Sequence, residues 1–96
     1  MKLEFHREAL AELRGAAVYY ESRHARLGVR FLDMIDEALE RIARDPIAWS
    51  PADEDVRRCL TRVFPFALYY TIEPELILIM AVAHLAREPG YWASRR

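Results

Sequence analysis

The side chains with the most chemistry to offer lie in the second half of this 96-residue chain. Arg58 and Arg62 fall in a strand-length run, Val56–Val63, whose two-residue period puts both on one face with Leu60. Arg57, Cys59 and Thr61 take the other face. His84, Arg87, Tyr91 and Trp92 follow a second such run, Leu76–Ala83. Basic and aromatic groups gathered in this way suit contact with RNA or DNA, through phosphate pairing and base stacking. They equally suit an interface for a partner helix. Tyr69 and Tyr70 point to opposite faces of their strand, and Tyr70 shares its face with Phe66, Leu68 and Ile72, a core position.

Other chemistries are poorly served. Gly15, Gly28 and Gly90 are scattered, so no loop cradles a phosphate. His6, His24 and His84 have no ligand spacing with one another or with Cys59, and no metal or cofactor is expected. Ser22, Ser50 and Ser94 sit in no nucleophile-elbow context. Asp33, Asp36, Glu37 and Glu40 read as a solvated helix face. The single cysteine fits a reducing compartment. The longest uncharged apolar run, Leu76–Ala83, falls far short of the roughly 20 residues that span a bilayer. No signal-peptide pattern opens the chain, so the expected location is the cytoplasm, without membrane contact.

The elements that must position these groups follow from periodicity. Lys2–His6 alternates as a short strand. Ala9, Leu13, Ala16, Ala17 and Tyr20 then recur at helical steps, predicting a helix over about residues 7–24. Phe31, Ile35, Ala38, Leu39 and Ile42 form a second stripe, closed by Pro46. Gly28, where the first pattern lapses, reads as the joint of an antiparallel helix hairpin. Pro46, Ser50, Pro51 and Asp53–Asp55 mark a loop, anchored by Trp49. Three runs rich in branched and aromatic residues follow, 56–63, 66–72 and 76–83, joined by short turns that enforce antiparallel pairing. The last is apolar on both faces, which predicts cover on both sides. The expected fold is α+β: a short N-terminal strand and a helix hairpin packed on a mostly antiparallel four-stranded sheet, in one domain over 1–96. The stripes are complete by Ala83, so removing 89–96 is expected to leave that fold standing.

At 53% apolar and 30% charged, the composition is globular. The net charge of −1 conceals a division. Residues 1–55 carry Lys2 and seven arginines against twelve acids, and residues 56–96 carry six arginines against three acids. A mildly basic second half is compatible with a polyanion-facing surface. Thirteen of the fourteen basic residues are arginine, which suits bidentate phosphate and carboxylate contacts.

An ordered set of residues resembles a known family. Tyr19-Tyr20-Glu21, Leu27-Gly28 with Phe31 and Ile35, Val56-Arg57-Arg58, Phe64-Pro65-Phe66 and Leu68-Tyr69-Tyr70 precede Ala81-Val82-Ala83-His84 with Arg87, Pro89, Tyr91 and Trp92. Together they resemble the RelE/ParE toxins of bacterial type II toxin–antitoxin modules, also called plasmid stabilisation proteins. The resemblance implies the strand, hairpin and meander fold, and a cognate antitoxin that neutralises the toxin in a hetero-oligomer. RelE-like members cleave messenger RNA on the ribosome by general acid–base chemistry, with basic side chains on the phosphate and a tyrosine near the C-terminus. ParE-like members poison DNA gyrase. The RelE-type lysines have no counterpart, because Lys2 is the only lysine. The arginines expected on the middle meander strand and after the last strand fall at Ala67 and near Leu85, and only Tyr91 aligns. The resemblance therefore favours a gyrase inhibitor, with Arg58, Arg62, Arg87, Tyr91 and Trp92 as target-binding residues. As a ribosome-dependent endonuclease, the alternative, the chain would use Arg58, Arg62, His84, Arg87 and Tyr91. A toxin-fold binding module without toxicity is a third reading.

Overall fold

A computed structural model describes residues 1–95. Strand β1 (Lys2–Phe5) leads into helix α1 (Arg7–Arg23) and helix α2 (Leu27–Arg44). Strands β2 (Ser50–Pro51), β3 (Val56–Leu60), β4 (Phe66–Ile72) and β5 (Leu76–His84) follow, and a 3₁₀ turn covers Ala93–Arg95. The sheet runs β1-β5-β4-β3-β2, with β1 parallel to β5 and the remaining pairs antiparallel. It thus has five strands where the sequence predicts four. The additional one is two residues long and contains a proline, too short to show a period.

Both helices lie on one face of the sheet. Phe31, Ile35, Ala38 and Ile42 of α2 are buried against Cys59, Leu68, Tyr70, Ile77 and Ile79. Each large side chain placed there contributes roughly 1.5–3 kcal/mol by leaving water. Tyr20, Phe31, Phe64 and Phe66 form an aromatic group with ring centroids 4.9–6.1 Å apart. Tyr70 is in the core as predicted. Its hydroxyl donates to the Pro46 carbonyl, and burial pushes its pKa up to about 12. Trp49 anchors its loop by donating to the Arg41 carbonyl at 3.4 Å, while Arg57 donates to the Trp49 carbonyl at 2.8 Å.

The hairpin joint corrects the reading of Gly28. The left-handed residue is Arg26, with φ 73°, and Gly28 lies inside α2. Glu21 of α1 caps α2, accepting the backbone N–H of Arg26 at 2.9 Å and of Gly28 at 3.0 Å. These bonds hold its carboxyl below the usual range. Gly28 is needed for closeness: a Cβ there would stand 2.6 Å from the Ala17 carbonyl oxygen. Gly28→Ala gains about 1 kcal/mol of helix propensity. It forces apart two helix backbones that have no rotamer to yield, at about 1–3 kcal/mol. A net loss of stability is expected in urea unfolding, and a variant more stable than wild type would show that the hairpin opens freely.

Candidate functional site

The face of the sheet away from the helices carries its own small core. Val56, Met80, Ala81 and Trp92 are buried there, with Tyr69, Leu78 and Tyr91 packed beside them. The 85–95 segment supplies the cover. It leaves β5 by a turn in which Arg87 N–H donates to the His84 carbonyl at 2.9 Å. It bends again at Gly90, with φ 80°, and ends in the 3₁₀ turn. The Trp92 ring lies 4.9 Å from Tyr69 and is only 3% exposed. This explains how β5 tolerates apolar residues on both faces: α1 covers one and the returning segment covers the other.

What holds that segment is Glu12, a residue of α1 that the sequence did not single out. Its carboxylate accepts from Arg95 at 2.8 and 2.9 Å, from the Tyr91 hydroxyl at 2.8 Å and from the Val82 backbone N–H at 3.0 Å. Arg95 also donates to the Met80 carbonyl at 3.0 Å, and Arg87 stands 3.9 Å from the same carboxylate. The location has a backbone cause. Strand β1 follows β5 only as far as Ile79, where His6 N–H donates to the Ile79 carbonyl. The β4–β5 register shifts between Tyr69 and Tyr70. Beyond that point the Met80 carbonyl and Val82 N–H lie on an edge without a strand, and the side chains of Arg95 and Glu12 complete the ladder.

The electrostatics follow. Burial works to raise the Glu12 pKa, but the bonds from Arg95, Val82 and Tyr91 outweigh it and hold the carboxyl below its ordinary value. Burial and the adjacent Glu12 push the Tyr91 hydroxyl well up, and the bond to Glu12 raises the Arg95 guanidinium further. The Arg87 guanidinium carbon lies 3.8 Å from the centroid of the Tyr91 ring, a cation–π contact.

The six predicted site residues are not brought together as one patch. Arg58 lies on the expected open face, opposite Tyr69 in the ladder. It lines a cleft of about 410 Å³ with Asp53, Tyr69, Gly90 and Trp92. Arg62 does not share that face. The strand stops at Leu60, and Val63 takes a left-handed φ of 72°. Thr61 closes the turn by donating its hydroxyl to the Phe64 and Phe66 carbonyls. Arg62 is carried to the helix side, where it pairs with Glu37 of α2 at 3.4 Å. His84 caps the turn after β5: its Nδ1 accepts from Ala86 N–H at 2.9 Å and its ring meets Phe66 edge-on. Arg87 and Tyr91 belong to the Glu12 cluster, with Arg87 half exposed, and Trp92 is core. Among the described residues no group of three or more His, Cys, Asp or Glu is placed to hold a metal ion. No described helix is long and apolar enough to cross a membrane.

A helix hairpin on one sheet face and a latched aromatic segment on the other define a two-layer α+β domain with side chains closing one sheet edge. The family model described as ParE toxin of type II toxin–antitoxin system, parDE, matches residues 3–89, and the chain belongs to that family. Among solved structures the chain is similar to one described as the chromosomal ParDE TA system from P. aeruginosa. The two share 18% identity over 88% of this chain and 95% of that one, with a TM-score of 0.65, a likeness of fold. No curated protein matches the chain at a significant level.

Proposed function

We propose that this toxin is held inactive by a cognate antitoxin and, when free, poisons DNA gyrase in the cytoplasm without cleaving RNA. Membership of the ParE family and the likeness to a ParDE system support the antitoxin and gyrase parts of the reading. The observation that carries the choice against a nuclease is the state of Tyr91. A general acid or base needs a pKa near working pH and a free path to substrate. The Tyr91 hydroxyl is committed to Glu12 as a donor, and its pKa is driven away from neutrality. Ala67, where a nuclease arginine would stand, is fully buried opposite Ala83. The target contact we assign is Arg58 and its cleft, together with Arg87 on the latched segment. Trp92 lines the same cleft as Arg58, and Arg62 is a separate contact on the helix side.

Induction of the protein in a bacterial host tests the reading. A DNA-damage response with filamentous cells and intact messages is expected. Translation arrest with cleaved messages would replace it with the nuclease, and unaffected growth with the non-toxic binding module. Arg58→Ala refines the test. Arg58 is exposed, so its truncation should change folding stability by no more than about 0.5 kcal/mol. Toxicity should fall at least tenfold in a growth assay. Full toxicity with an unchanged melting temperature would remove Arg58 from the contact.

A further inference from the structure

Strand β1 ends the sheet, and only one of its two edges has a strand beside it. Its parallel register with β5, and the bond from His6 N–H to the Ile79 carbonyl, turn the backbone groups of Lys2, Glu4 and His6 toward β5. The N–H and C=O of Leu3 and Phe5 therefore point out of the sheet. The side chains alternate as well. Leu3 and Phe5 turn to the helix-side core, where both stay part-exposed, so the apolar layer is unfinished at this edge. Lys2 and Glu4 turn to the opposite face. Glu4 there shares a cleft rim with Glu73, and Arg95 at the same cleft is already committed to Glu12. Within the chain Lys2 reaches Glu4 at 3.3 Å, but its side chain is 73% exposed, so this pair holds little.

An open backbone edge is completed by another extended chain. Charge and register together select a second copy of β1. In an antiparallel pair about a two-fold axis, a centre at Phe5 runs Leu3 into Arg7, where α1 begins. A centre at Lys2 sets Lys2 against Lys2, and a centre at Glu4 sets Glu4 against Glu4, so like charge rejects both. The centre at Leu3 remains. There Leu3 exchanges N–H···O=C bonds with Leu3 of the second copy, and Phe5 lies opposite Met1. Lys2 lies opposite Glu4, twice. These are non-hydrogen-bonded positions, where facing side chains come closest. Each Lys2 also arrives at the rim shared by Glu4 and Glu73. The two Leu3 side chains meet on the helix side and extend the unfinished apolar layer. We infer that β1 pairs with β1 of a second copy about a two-fold axis at Leu3, joining two five-stranded sheets into one. This inference does not depend on the gyrase reading.

Sedimentation of the isolated chain over a roughly hundredfold concentration range tests it. The mass should climb from 11.3 kDa toward that of two copies. Lys2→Glu and Glu4→Lys each set like charges opposite one another twice, and each should weaken the association about tenfold. An equimolar mixture of the two variants should recover it, because each chain then meets its opposite in the other. Mixing leaves every contact within a chain unchanged, so recovery reports pairing between copies alone. The double variant, Lys2→Glu with Glu4→Lys, should associate like wild type. Both side chains are exposed, and circular dichroism confirms that each variant folds. A wild-type monomer at every concentration would overturn the inference. So would a dimer that neither single variant weakens, or a loss that mixing does not recover. A monomer whose Glu4→Lys variant no longer binds the antitoxin would also overturn it, assigning the edge to the antitoxin.

Discussion

Glu12→Ala is expected to cost about 2–4 kcal/mol of folding stability, although residue 12 is a polar position on a partly solvated helix. The cost arises from what the carboxylate leaves behind. Arg95 is almost wholly buried and would lose its counter-charge, and the Tyr91 hydroxyl and Val82 N–H would lose their acceptor. Removing one partner of a buried ion pair costs about 3–5 kcal/mol, and partial solvent access at this edge lowers that figure. Amide exchange should accelerate at Val82 and through 91–95 more than in α2. A pH dependence goes with it. The folded-state pKa of Glu12 lies below its ordinary value of 4.5. The unfolded chain therefore takes up the proton first as pH falls, so this contribution is complete above about pH 5 and fades as pH drops through the folded pKa. The melting-temperature gap between wild type and Glu12→Gln should be constant near neutrality and close in acid. A gap that persists unchanged in acid would show that the charge is not what holds the segment.

Trp92→Ala is expected to be the most damaging single truncation in the 85–95 segment, at about 3–5 kcal/mol. The indole is the largest group of the second core and fills the space over Tyr69, Met80 and Ala81. In a domain of this size each kcal/mol moves the midpoint by roughly 4–8 °C, so a drop of roughly 12–40 °C should appear in a thermal melt. Trp92→Phe should recover about half of it. Removal of residues 89–96 discards Trp92 and Tyr91 together, and such a chain should unfold or aggregate. This reverses the expectation drawn from the helix and strand stripes, which count one face of the sheet only. A truncated chain that melts with wild-type cooperativity would show the second core to be dispensable.

Much of the fold could be read from the sequence because its signals are local. The stripe Phe31, Ile35, Ala38 and Ile42 is a helix face by spacing alone, and the β4 and β5 runs end at turn residues within one position of their observed limits. The failures are non-local. The strand period puts Arg62 on Arg58's face only if it extends past Leu60, where a turn through Val63 ends it. Gly28 reads as the hairpin joint, whereas its function is close approach to Ala17, a contact across two helices. Glu12 had the weakest signal of all. Its partners lie 70 to 83 residues away, and only its place at the rim of the stripe formed by Ala9, Leu13 and Ala16 set it apart. Trp92 carried a visible signal, a large aromatic after the last strand, but the same signal fits a contact site and a core plug.

The proposed action of this ParE-family chain on gyrase, without RNA cleavage, can be tested with purified components. The most direct measurement incubates the purified chain with DNA gyrase, ATP and relaxed plasmid, and in parallel with translating ribosomes and a defined message. Arrested supercoiling with protein-linked cleaved plasmid, loss of that effect in Arg58→Ala, reversal on adding the antitoxin, and an intact message are expected. Normal supercoiling beside a message cut in the ribosomal A site would contradict it.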